Sequence, residues 1–311
     1  MATRPGGPAP RVLAPLYLAG FTTAFGAHGV ASVLGAESED VGLSLLGLGV
    51  ALALYDVAEV ILKPFFGALS DRVGPKPVIV GGLVGFTAVS LVAVVHPSSL
   101  VLALVRLGQG AAASAFSPAS SSAVARLAGR ERLGRLFGRY GAWKSLGYVL
   151  GPLIGVVLAD RVGLRAVYVA LAVPAAVAAV WSARVLPRLP VAPRARFTVA
   201  DLVRQTRNRG FLIPTLVLAT STAVLGVAVG FLPLLATRHD LDPVAGAAAV
   251  ALLAIVSAVV QPAVGRLRDE DRVTTAAGSG VGLLLAAAAL VRLATAPGAA
   301  SLFVAAAAIG L

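Results

Sequence analysis

The residues of this chain best placed to do chemistry are charged groups set inside long apolar runs. One group reads Tyr55-Asp56-x-x-Glu59-x-x-x-Lys63; two others are the isolated His28 and Arg106. Asp56, Glu59 and Lys63 recur at i, i+3 and i+7, so on a helix they share one stripe that continues to Gly67. Glu59 and Lys63 stand in the favourable order for an i, i+4 ion pair, which gives Glu59 a structural reading. Asp56 then has no evident local partner. Two readings of it stand: a carboxyl that carries a coupling proton, or a structural acceptor for nearby backbone or for an arginine across a helix interface. Arg106 costs at least about 2.5–3.5 kcal/mol in a membrane span unless it is paired or hydrated, so it must face a cavity or an acceptor. At about 1.5 Å per residue it lies roughly 10 Å below the outer surface, with His28 at similar depth. His28 reads either as a hydrogen-bonded packing residue or as a neighbour of Arg106 in a cavity.

Other chemistries drop out. The chain has no cysteine, which excludes disulfides, thiolate catalysis, Cys-bound zinc and iron–sulfur clusters. His28, His96 and His239 are too scattered for a zinc site, so no metal is expected. With no glycine-rich phosphate loop and no serine triad, enzymatic activity, a cofactor and ATP-driven pumping all lack support. The energy source is then an ion gradient or the substrate's own.

Composition says what must position these residues. Of 311 residues, 58% are hydrophobic and 13% charged, with a mean hydropathy of +0.90; an ordinary soluble domain has about 45–50% apolar and about 25% charged residues. A water-soluble globule is ruled out. The fold expected is an all-α integral membrane protein, since a spanning helix needs about 20 mostly apolar residues. Nine such stretches run approximately over 12–36, 41–66, 78–95, 100–125, 142–159, 166–183, 211–237, 244–264 and 273–293, and a tenth begins near Ala299. The first is too long for a signal-peptide core and is read as retained.

The net charge of +12 comes from 26 Lys and Arg against 14 Asp and Glu. With the N-terminus placed in the cytoplasm, only Arg161, Arg165, Arg238 and Arg292 fall outside and Arg106 within a span, leaving 21 cations inside, Lys144 among them. The positive-inside rule therefore explains the basicity, and nucleic-acid binding is not expected. The expected address is the cell membrane.

The chain reads as a cytoplasmic tail over 1–10, a six-helix bundle over 11–186, a central cytoplasmic loop over 187–210 and a partial second bundle over 211–311. In the loop, Thr198 and Asp201 fit a capping box and Phe197 and Leu202 a hydrophobic staple, so a short interfacial helix on anionic lipid and a plain basic linker are both open. The two bundles are related. Lys63 to Asp71 and Gln261 to Asp269 both read x-Pro-x-x-Gly-x-x-x-Asp at an offset of 198 residues, as in the parallel repeats of some transporters. The same offset carries Leu311 onto Ala113, so the second half is expected to lack its last spans, ten being present of an expected twelve.

Three motifs give the chain a family likeness. Gly67-x-x-x-Asp71-Arg72-x-Gly74-Pro75-Lys76 follows span two, Arg106-x-x-Gln109-Gly110 lies in span four, and Gly138-x8-Gly147-x3-Gly151-Pro152-x2-Gly155 in span five. Together they resemble the signature loop, the span-four motif and the antiporter motif of the major facilitator superfamily, departing at Pro75, where a cation is usual, and at Val156, where a second glycine is usual. The resemblance covers essentially the whole chain. It implies the major facilitator fold, two helix bundles rocking about a midplane site, with spans one and four lining a central cavity that His28 and Arg106 would share. It also implies that Gly67, Asp71, Arg72, Gly74 and Lys76 form a conformational latch, with Asp71 facing the N-terminus of an eleventh span that this sequence does not contain. Physically, Gly147, Gly151 and Gly155 share one face and admit close backbone contact, while Pro152 frees the Tyr148 carbonyl and bends the span.

The function expected is secondary transport of a small molecule, as proton-coupled efflux of amphipathic or drug-like compounds. Protons, substrate and the lipid bilayer are its expected partners. Nutrient uptake or facilitated diffusion is the alternative within transport, and a truncated, non-transporting membrane protein the alternative from another class.

Overall fold

Long apolar runs without a strand-like alternation must satisfy their backbone internally, and in lipid the helix does so within one segment. The computed structural model describes residues 10–36, 45–95, 98–191, 204, 207–239, 241, 243–296 and 298–311. Residues 1–9, His96 and the expected interfacial helix around Thr198 to Leu202 lie outside these. Among the described residues the helices are α1 (Pro10–Ala36), α2 (Leu45–Val73), α3 (Pro75–Val95), α4 (Ser99–Ala128), α5 (Leu133–Val162), α6 (Leu164–Val185), α7 (Arg209–Arg238), α8 (Pro243–Asp269), α9 (Thr275–Thr295) and α10 (Ala299–Gly310). Seven of them are long and apolar enough to cross a membrane on length and composition alone. A further helix, α10, is apolar but has only 12 residues.

The helices overrun the apolar stretches because the charged residues at their ends are themselves good helix formers. This changes two expectations. Gly67 to Lys76 is not a loop: α2 runs on through Asp71 and Arg72 to Val73, and α3 starts at Pro75, a favoured first helical residue. The whole connection is Gly74, whose φ of +87° is open to glycine and strained for other residues. Gly163, with φ +99°, joins α5 to α6 in the same way. Lys144 is also relocated. It lies three turns into α5, on the side that meets α1, and not in the connection before that helix.

The chain divides into two compact units, Met1–Pro193 and Arg194–Leu311. In the first, α1 packs on α5 and α6, α2 on α4, and α3 on α4 and α6. Large apolar side chains such as Val60, Ile61, Leu104 and Val173 point outward, whereas alanine, glycine and serine are common inside, as expected where lipid is the solvent. In the second unit α10 packs on α8, α9 and α7, and α7 on α8.

The sequence repeat has a counterpart in the contacts. In α2 the Lys63 Nζ to Glu59 Oε1 ion pair is 2.8 Å long; at the same offset in α8, Gln261 Nε2 donates to Ser257 Oγ at 3.1 Å. In the first unit a Cβ at Gly110 would overlap the carbonyl of Tyr55. In the second, a Cβ at Gly310 would come within 2.6 Å of the carbonyl of Leu253, the residue 198 positions beyond Tyr55. Each unit thus seats a glycine of its fourth helix on the backbone of its second.

That contact predicts a contrast in stability. Gly110→Ala should destabilise the purified protein by about 1–3 kcal/mol, since backbone cannot move aside as a side chain can. Gly81→Ala, with nothing within 4 Å of its new Cβ, should be neutral or stabilising by up to about 1 kcal/mol. Thermal unfolding in detergent measures both.

Candidate functional site

The site is built in the first unit around a buried guanidinium. Arg106 is 2% exposed, seven residues into α4. Four residues on, Gly110 lets the α4 backbone approach α2 at Tyr55. That approach brings the Tyr55 ring beneath the guanidinium, whose carbon lies 4.3 Å from the ring centroid. A desolvated cation–π contact of this kind is worth about 2 kcal/mol. Arg106 Nη1 donates to the Gly26 carbonyl of α1 and to Gln109 Oε1, each at 3.4 Å. Gln109 Nε2 in turn donates to Ser90 Oγ of α3 at 3.0 Å. The Arg106, Gln109 and Gly110 motif therefore ties α4 to three other helices, each residue by a different interaction.

Arg106 Nε and the hydroxyls of Tyr55 and Tyr168 are buried and have no hydrogen-bond partner among the described residues. Buried polar groups are seldom left so, and here they cluster about one cation. Asp56 follows Tyr55 on α2 and is exposed on the surface of the bundle. It makes no ion pair among the described residues; Arg106 is the cation that bears on it most strongly, ahead of Lys63. Of the two readings of Asp56, an arginine across a helix interface is thus present as a field and not as a bonded partner.

Glu59 is held by Lys63. It is also the anion that bears most on Lys144, whose stem lies along α1 at Gly20. Nothing in the spacing of Lys144 marked it as part of this face. His28 is partly buried, with its ring edge-on to Tyr148 of α5 at 4.5 Å, and Arg106 and Lys144 are the cations that bear on it. Histidine, arginine, carboxylates and tyrosines from α1, α2, α4, α5 and α6 therefore converge.

A stripe of glycines fixes the α1 side of this cluster. Cβ atoms at Gly147, Gly151 and Gly155 would come within 2.6, 2.9 and 3.0 Å of the carbonyls of Phe21, Phe25 and Gly29. Three successive turns of α5 thus lie on three successive turns of α1, backbone to backbone. Pro152 sits inside the continuous α5, and Gly138 one to two turns after its start.

The motif at the end of α2 is arranged differently. A Cβ at Gly67 would meet nothing within 4 Å, so among the described residues no helix uses it for close approach. Asp71 Oδ1 accepts from Arg126 Nη2 at 3.0 Å, and Arg126 Nη1 donates to the Pro190 carbonyl at 2.8 Å. The arginine at the end of α4 thus links the end of α2 to the strap that follows α6. Lys76 and Arg72 lie at partly buried and exposed positions beside Gly74.

Comparison with known proteins decides the family. The profile of the Major Facilitator Superfamily matches residues 16–311. The chain belongs to that superfamily. It is 30% identical over 145 residues to the quinolone resistance protein NorA of Staphylococcus aureus, a match covering 47% of this chain and 37% of NorA. It is 27% identical over 150 residues to an uncharacterized MFS-type transporter of Methanocaldococcus jannaschii, covering 48% and 39%. The matches thus span less than two-fifths of either relative. Among solved structures, the E. coli fucose:proton symporter FucP aligns with a TM-score of 0.71 at 14% identity, covering 96% of this chain and 81% of that one. The human organic anion transporter MFSD10 aligns with a TM-score of 0.64 at 18% identity, covering 96% and 83%. These likenesses establish a major facilitator fold for the chain, that of multi-pass membrane transporters.

The hydrogen-bond chain makes a prediction of its own. Gln109→Leu should destabilise the protein by about 1–3 kcal/mol, because it strands Ser90. Adding Ser90→Ala should recover part of that loss, giving a coupling energy of about 0.5 kcal/mol or more in a double-mutant cycle read by unfolding.

Proposed function

We propose that this major facilitator protein is a proton-coupled exporter of small amphipathic or drug-like molecules, with Asp56 as the group that takes up and releases the coupling proton. The observation that carries this is the arrangement on α2 and α4: a carboxyl exposed on the bundle, free of any ion pair among the described residues, within the field of a cation that cannot leave. Such a carboxyl is charged or neutral according to which side supplies the proton, and the change in charge beside Arg106 alters the relative energies of the protein's conformations. Bulk solvent need reach only Asp56.

Glu59 and Lys63, joined at 2.8 Å, keep the rest of the stripe neutral, so that protonation of Asp56 is the dominant charge change on it. His28 and Tyr148 form the α1 and α5 side of the same face. In this reading the glycine stripe of α5 acts as a stiff seam, so that α1 and α5 move together and Arg126 holds α2, α4 and the strap as one body with Asp71. Similarity to NorA supports efflux as the direction and drug-like compounds as the cargo. The cytoplasmic N-terminus and the cell membrane as address rest on the distribution of Lys and Arg.

Two outcomes are expected in vesicles with an imposed pH gradient. Asp56→Asn should abolish proton-driven substrate movement while leaving substrate binding within a fewfold of wild type; wild-type driven flux in that variant would remove Asp56 from the scheme. Gly151→Leu should block transport with membrane insertion intact, since a side chain there would force α5 off Phe25. The sign of substrate movement in the same vesicles separates export from nutrient uptake.

A further inference from the structure

We propose that the α2–α3 corner of the first unit binds one anionic phospholipid, with its phosphate on Lys76 and Arg188 and one acyl chain laid along α3. Two hollows of about 400 and about 450 Å³ meet there, both bordered by Val73 and Pro77. Each is of ligand-binding size, for which about 300–1,000 Å³ is usual. The first runs between α2, α3 and α4, and every described side chain that lines it is apolar; Gly81, Gly82, Gly85 and Gly108 make much of its wall. From Pro77 to Val89 it follows α3 for about 18 Å. A bilayer's hydrocarbon core is about 30 Å thick, so the groove has about the depth of one leaflet.

The second hollow lies at the end of the first and is basic. Lys76 and Arg188 border it, and neither has a hydrogen-bond or ion-pair partner among the described residues. The nearby Asp71 is engaged by Arg126, so it does not neutralise them. Leu189, whose carbonyl would lie 3.4 Å from a Cβ at Gly74, carries the strap with Arg188 across the start of α3. An occupant must therefore be apolar and slender for a leaflet's depth and anionic at the membrane surface. An acyl chain is slender enough to lie along glycine backbone, and the basic end of the groove selects a chain that carries an anionic head. Basic pockets between membrane helices are suited to anionic head groups. The inference rests on family membership and on these two hollows, and is independent of Asp56 and of the direction of transport.

The test uses the purified full chain in mild detergent, with bound lipid counted by native mass spectrometry. The probes are phosphatidylglycerol, phosphatidylcholine with the same acyl chains, and inorganic phosphate. One phosphatidylglycerol should be retained in preference to phosphatidylcholine. Lys76→Gln with Arg188→Gln should lower its retention at least about tenfold. Gly81→Leu, which projects into open groove with nothing within 4 Å of its Cβ, should lower it as well while leaving the lipid-free unfolding temperature unchanged. Equal retention of the two lipids, or full retention of phosphatidylglycerol by the double variant, would overturn the proposal. So would displacement of the lipid by inorganic phosphate together with unaltered binding in Gly81→Leu, which would mark an ion site only.

Discussion

A guanidinium held 2% exposed in a bundle of apolar helices is the constraint on which the rest of the first unit turns. Among the described residues no carboxylate pairs with it. Its charge is met by the face of Tyr55, a carbonyl on α1 and the side-chain oxygen of Gln109. The first of these contacts would not form if α4 stood at an ordinary distance from α2, because the ring reaches Arg106 only where Gly110 lies on the Tyr55 backbone. A missing side chain one helical turn away is therefore what makes a buried charge tolerable. The glycine seam between α1 and α5 does the corresponding work on the other side, bringing the Gly26 carbonyl and His28 into range.

The same logic explains why the repeat preserves geometry while changing chemistry. The second unit keeps a glycine of its fourth helix against the second, at Gly310 and Leu253, and keeps a side-chain pair one turn before its proline, at Ser257 and Gln261. Yet the position of Tyr55 holds leucine and that of Asp56 holds Ala254. The scaffold is repeated; the ionisable face belongs to the first unit. Close backbone contact constrains a whole helix pair, whereas a carboxyl constrains only its own neighbourhood, so the one can persist where the other does not.

Much of this was legible in sequence because it is local or periodic. The helices follow from apolar length, the Glu59 and Lys63 pair from i, i+4 spacing, and the α5 seam from glycines at every fourth residue. What escaped was relational. Arg126 pairs with Asp71 across 55 residues and two helix ends, and no spacing records that. Lys144 read as a cytoplasmic cation because it follows a run of arginines, but α5 starts at Leu133, nine residues before the apolar stretch that opens at 142, and carries Lys144 inward. The segment from Gly67 to Lys76 read as a loop from its charge, although everything before Gly74 is compatible with helix.

The proposed coupling requires that Asp56 be reached by water and lie in the electric field of Arg106. The absence of cysteine makes this directly measurable. In membrane vesicles, Asp56→Cys should label with a charged, membrane-impermeant thiol reagent, and an anionic reagent should label it several-fold faster than when Arg106→Gln is also present, because a nearby cation favours the thiolate. Absence of labelling from either side, or a rate indifferent to Arg106→Gln, would contradict the proposal.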